Sequence, residues 1–123
     1  MKRSIFIMLS LILAIFSCID QEQKTSLESL ESLEAEIIAL SESVSCTNAD
    51  QWKFFPMGSK ACGGPERYIA YHQSVENSIL PLIDKYTLQQ AEYNRANNIV
   101  SDCLLVGSPR GVTCENGKPV LFY

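Results

Sequence analysis

Four cysteines, Cys46, Cys62, Cys103 and Cys114, constrain this chain more than any other feature. They lie in the stretch from 46 to 123, about 78 residues, and a core that small is marginal without covalent help. An even number of cysteines in a short exported chain reads as a disulfide framework. Three pairings are possible, and the spacing favours Cys46–Cys62 with Cys103–Cys114, because each closes a short loop across a turn-rich segment. Each bridge would add roughly 3 kcal/mol by restricting the unfolded chain. The intervals of 16, 41 and 11 positions hold no C-x-x-C pair, and His72 is the single histidine, so neither zinc nor a thioredoxin-like site is expected. No metal and no cofactor is expected.

A fifth cysteine, Cys18, has a different context. Lys2 and Arg3 precede an apolar run from Ile5 to Phe16 broken only by Ser10; Ser17 and Cys18 close it, and the polar Asp20-Gln21-Glu22-Gln23-Lys24 follows. A charged segment, an apolar segment and a small residue before the cut read as a signal peptide, and the cysteine directly after it makes it resemble a bacterial lipoprotein signal, the alternative being a plain secretory signal with a free Cys18. Twelve residues give about 18 Å of helix against roughly 30 Å of hydrocarbon, too short to span a bilayer. The expectation is a signal over 1–17, lipidation (palmitate included) on Cys18, an acidic tether and amphipathic helix over 18–45, and a domain over 46–123. Ile19 is not the aspartate that retains lipoproteins at the inner membrane of enteric bacteria. The expected location is the cell envelope, lipid-anchored, and the outer membrane if the source is Gram-negative.

Charge divides the chain in the same place. After residue 17, eight bases face fourteen acids, a net charge of −6. Seven of those acids lie between Ile19 and Ser45 against one base, Lys24, whereas Cys46 to Tyr123 holds seven of each. The acidity belongs to the leader and the domain is neutral. No basic stripe exists for a phosphate backbone, so nucleic acid is not an expected partner.

Leu27, Leu30, Leu33, Ile37, Leu40 and Val44 mark an amphipathic helix over 26–44, with Ser26 or Ser29 as cap and glutamates outside the seam. It would lie on its own domain or pair with a partner. Trp52 to Phe55 reads as a strand. Arg67 to Gln73 alternates, with Tyr68, Ala70 and His72 on one face and Arg67, Ile69, Tyr71 and Gln73 on the other. A second helix over 78–98 carries Ile79, Leu82, Ile83, Tyr86, Tyr93 and Val100 on one stripe. Ser78 or Ser74 would cap it, Pro81 would fall in its first turn if Ser78 is the cap, and Asn97-Asn98 would end it. Asn116-Gly117 between apolar runs is a strong hairpin signal. The fold class is α+β: a small antiparallel sheet (52–55, 67–73, 103–106, 112–114, 119–122) packed on one long helix, disulfide-stapled, with an N-terminal helix.

No nucleophile, base and orienting group assemble in the sequence, so the chain is not expected to be an enzyme. Gly63-Gly64 lacks a phosphate-loop frame. The candidate binding loop is Lys60, Gly63, Gly64 and Pro65 with Tyr68, a stapled turn beside aromatic side chains.

Lys60-Ala61-Cys62-Gly63-Gly64-Pro65, with Tyr68, Tyr71, Tyr93-Asn94, Ser101-Asp102-Cys103 and the tail from Val112 to Gly117, resembles a group of small exported bacterial proteins. That group carries a Lys-Pro-Cys-Gly-Gly-Pro loop, an aromatic strand, a Tyr-Asn helix and a Ser-Asp-Cys segment. The resemblance covers roughly Cys46 to Gly117, with Ala61 in place of the loop's first proline. It implies a common fold unit and no particular activity. The function expected is a membrane-anchored envelope lipoprotein acting as a non-enzymatic binding module, an inhibitor being one form of it. The alternative is a structural or assembly lipoprotein that recruits an envelope complex through its N-terminal helix.

Overall fold

The structure is a computed structural model and describes residues 27–123. The signal, Cys18, the tether and the Ser26 cap lie outside those residues. Helix α1 covers 27–41 and is followed by strands β1 (Trp52–Met57) and β2 (Arg67–His72), helix α2 (Glu76–Ala96), and strands β3 (Gly111–Glu115) and β4 (Lys118–Phe122). The protein is α+β and stapled by disulfides.

The strands form two separate antiparallel hairpins instead of one five-stranded sheet. β1 pairs with β2 from Trp52↔His72 to Met57↔Arg67, and β3 with β4 from Gly111↔Phe122 to Glu115↔Lys118. The expected strand at 103–106 does not form: residues 99–109 run as irregular chain. Leu104 and Leu105 meet no facing layer among the described residues, so period and propensity alone gave the wrong answer there.

The β1–β2 hairpin is the middle layer because both its faces are apolar. Phe55, Met57, Ile69 and Tyr71 pack against α1 and α2, where Leu30, Leu33, Ile37, Ile79, Ile83 and Tyr86 complete the main core. Ile37, Met57, Ile79 and Ile83 are the largest fully buried side chains, each contributing roughly 1.5–3 kcal/mol by leaving water. On the opposite face Trp52 and Ala70 meet Cys46, which precedes β1, and Val112, Cys114 and Leu121 of the second hairpin. The alternation of faces in β2 is as its sequence pattern requires.

The seam of α1 is buried on its own domain through Leu30, Leu33 and Ile37, while Leu27 at its start is 42% exposed. Arg67 of β2 ties to Glu34 of α1, and Lys53 Nζ lies 2.5 Å from Glu76 Oε2 at the start of α2.

Helix α2 starts at Glu76, two residues before the expected capping serine Ser78, and its N-cap Val75 makes no side-chain bond. Pro81 therefore sits in the second turn. A 3-10 turn over Gln73–Val75 leads into the helix, and there the His72 side chain accepts the Ser74 N–H, so the lead-in performs the capping. The other end matches expectation: Asn98 is left-handed at φ 51°, with Ile99 N–H bonded to Asn94 O at 2.9 Å and Asn98 N–H to Arg95 O at 3.4 Å. This is a Schellman stop. Val100, expected on the buried stripe, lies beyond the stop and is 90% exposed.

The bridges are Cys46–Cys114 and Cys62–Cys103, not the local pairs expected from spacing. Short loop closure is a weak criterion, since closure entropy grows only slowly with loop length. Packing of the hairpins decides instead. Cys46 sits in the core between them, and Cys62 faces the chain leaving α2.

Candidate functional site

The nine residues between β1 and β2, Gly58 to Glu66, form the candidate loop, and the chain that leaves α2 holds it in place. At its base Gly58 N–H bonds to Thr87 Oγ1 (3.1 Å) and Ser59 N–H to Gln90 Oε1 (2.6 Å), and Asn94 Nδ2 donates to Ser59 O at 2.8 Å. Gln90 Nε2 also donates to Glu66 Oε2 at 2.9 Å. One face of the second half of α2 thus cradles the loop. At its tip Gly63 N–H bonds to Lys60 O and Lys60 N–H to Gly64 O, at 2.9 and 3.0 Å. Gly63 and Gly64 take φ of 96° and 81°, a conformation that costs glycine little.

The loop is then locked to residues 101–104. Cys62 is bridged to Cys103, and its N–H reaches Ser101 Oγ at 3.3 Å. Lys60 Nζ lies 2.5 Å from Asp102 Oδ1 and donates to Leu104 O at 2.8 Å, while Leu104 N–H bonds to the same Asp102 oxygen. Hydrogen bonding from the Lys60 ammonium holds the Asp102 carboxyl below the usual aspartate range.

This network changes the role of the expected site residues. Lys60 keeps only 15% of its side chain exposed and is consumed in holding the loop. Gly63 and Gly64 are exposed and Pro65 is half-buried. Tyr68 stands apart from the loop, on the hairpin face opposite the helices, with its ring edge-on to Phe54 at 6.1 Å. What the brace presents is a set missed in the sequence: Val100 (90% exposed), Leu104 (74%) and Leu105 (92%). The available signal was the Asn97-Asn98 stop just ahead of apolar residues.

A concavity of about 620 Å³ lies where Ser41–Ser45 meets β2 and the β3–β4 turn, lined by Ser45, Tyr68, Ala70, Gly117 and Lys118 among others. Ser45 Oγ approaches Gly117 O at 3.4 Å and Ser41 Oγ donates to Ile38 O at 2.9 Å, so these hydroxyls serve the chain itself. His72 is likewise occupied: Nδ1 accepts the Ser74 N–H at 3.2 Å, Nε2 faces Gln51 Oε1 at 3.4 Å, and the ring lies edge-on to Trp52.

Among the described residues no group of three or more His, Cys, Asp or Glu side chains is placed to hold a metal ion. No helix among them is long and apolar enough to cross a membrane. Comparisons with protein families, curated proteins and solved structures return no match to this chain.

Proposed function

We propose that the chain is a lipid-anchored envelope protein whose domain is a non-enzymatic binding module, with the braced surface around Val100, Leu104 and Leu105 as its contact face. One observation carries this reading. Three large apolar side chains are held in water by a segment whose backbone is fixed through a disulfide, an ion pair and several hydrogen bonds. An apolar surface that is already ordered loses little entropy on binding, and exposed apolar patches of this kind mark interaction sites. Gly63, Gly64 and Pro65 form the adjoining rim in this reading. The partner is an envelope protein with an apolar pocket, and an inhibitory plug is one form of such contact.

The anchor rests on the sequence: a charged start, an apolar run and Cys18 after a small residue, with acylation as the fate that leaves no odd thiol. The resemblance to small exported bacterial proteins supports the same location. Of the residues that carry it, Lys60, Cys62, Gly63, Gly64, Asn94, Ser101, Asp102 and Cys103 belong to the one brace. The assembly reading, recruitment through α1, draws less support, since Leu30, Leu33 and Ile37 are already buried.

Crosslinking in the native envelope, followed by mass spectrometry, tests the contact face. Proteins captured by the wild type should be lost with Leu105→Asp and kept with Leu88→Asp, a control at another exposed leucine on α2. Equal capture by both variants would refute the assignment. Cys18→Ser should release the protein from membranes with its fold intact; a variant that stayed bound would refute the anchor.

A further inference from the structure

The two disulfides differ in one property on which thiol–disulfide exchange depends, the access of an attacking thiolate to sulfur. Cys46 is 3% exposed, enclosed by Trp52, Ala70 and the second hairpin, and its partner Cys114 is half-buried. Cys62 and Cys103 both lie exposed and join two irregular segments. Around the outer bridge Val100, Leu104 and Leu105 are largely exposed and, of the apolar side chains in the segment, only Ile99 at its start is more than half covered, so few apolar contacts hold 100–105 once the bridge opens. Beyond the Ile99 N–H bond to Asn94 O, hold on this segment would come from its contacts with the loop: Lys60 to Asp102, Lys60 to Leu104 O, and Cys62 N–H to Ser101 Oγ. A reduced Cys62 thiol also has an acceptor in position, since its sulfur lies 3.6 Å from Ser101 O.

We propose that the Cys62–Cys103 bridge is a redox-addressable clasp: a dithiol reductant opens it while Cys46–Cys114 keeps the fold, and opening it loosens the braced surface and weakens partner binding. The final clause rests on the binding-module reading above; the selective reduction does not. The chemistry is two successive exchanges. A thiolate of the reductant bonds to one of the two sulfurs, the protein S–S bond breaks, and the other cysteine leaves with the electron pair. The reductant's second thiolate then displaces the first cysteine. Two electrons pass to the protein, the two cysteines take up the two protons lost by the reductant, and the reductant departs as its own disulfide.

The test titrates the oxidised full-length protein with dithiothreitol under native conditions, traps thiols by alkylation and reads peptides by mass spectrometry. Cys62 and Cys103 should be labelled at dithiothreitol concentrations at least about tenfold lower than those needed for Cys46 and Cys114. Reduction of both bridges over one range, or of the inner bridge first, would overturn the clasp. At the dose that opens only the outer bridge, amide exchange should accelerate over 99–105 and stay unchanged in β1. An unchanged 99–105 segment would also overturn it. Capture of the Leu105-dependent crosslinked proteins should fall in the selectively reduced state, and undiminished capture would refute the regulatory clause. If the oxidised protein captures nothing that Leu105→Asp loses, the binding reading fails while selective labelling stands. If labelling is unselective, the clasp fails and the capture result stands.

Discussion

The Lys60 ammonium meets the Asp102 carboxylate at 2.5 Å across 42 residues of sequence, joining the loop between β1 and β2 to the chain that leaves α2. The same ammonium binds Leu104 O. This cation organises a loop instead of greeting a partner, and residues that look like an exposed motif become one internal joint.

Lys60→Ala should leave the fold intact and loosen one place. Amides of 101–105 should exchange about tenfold faster while those of α1 and β1 keep their protection. Exchange that stayed unchanged at 101–105 would show that the disulfide alone sets the segment.

Acid should weaken the same joint. Hydrogen bonding from Lys60 lowers the folded carboxyl pKa of Asp102 below its unfolded value of about 3.9. The contribution is therefore present above that unfolded value and is lost as pH falls through the folded one. Protection of the Leu104 amide, followed by exchange at stepped acidic pH, should drop in that window in the wild type. Asp102→Asn should remove the step.

Removal of the inner disulfide should cost more than removal of the outer one. Cys46→Ala with Cys114→Ala should cost about 3–5 kcal/mol, because it loses both the cross-link and filled volume between the hairpins. Cys62→Ala with Cys103→Ala should cost about 2–3 kcal/mol. Thermal melts would show the order, at about 4–8 °C per kcal/mol for a domain of this size. The reverse order would contradict the assigned burial.

Core and proposed contact face should separate cleanly by mutation. Ile37→Ala or Ile83→Ala, each at a fully buried site, should cost about 2–5 kcal/mol in denaturant unfolding. Leu105→Asp, at a side chain 92% exposed, should stay within about 0.5 kcal/mol of wild type. A large loss at Leu105 would mean that the side chain is already covered.

The β3–β4 turn gives a local test. Asn116 and Gly117 hold φ of 51° and 76°, and a Cβ on Gly117 would stand 3.1 Å from Ser45 Oγ. Gly117→Ala should cost about 1–2 kcal/mol from the backbone conformation alone. It should also weaken the Cys46 N–H bond to Gly117 O, seen as faster exchange of that amide.

By itself the sequence determined the local features: the seam of α1, the alternating faces of β2, the stripe and Asn97-Asn98 stop of α2, and the turn at Asn116-Gly117. Each depends on neighbours a few residues apart, where periodicity and backbone preference act directly. Tertiary structure alone decided the rest. Cysteine pairing followed the stacking of two hairpins, since closure entropy barely distinguishes a short loop from a long one. Lys60 became a brace because Asp102 is brought to it by the path out of α2. Leu104 and Leu105 remained in water because no strand among the described residues lies beside them to complete a ladder and cover their side chains, and apolar character in a sequence cannot report whether such a neighbour exists.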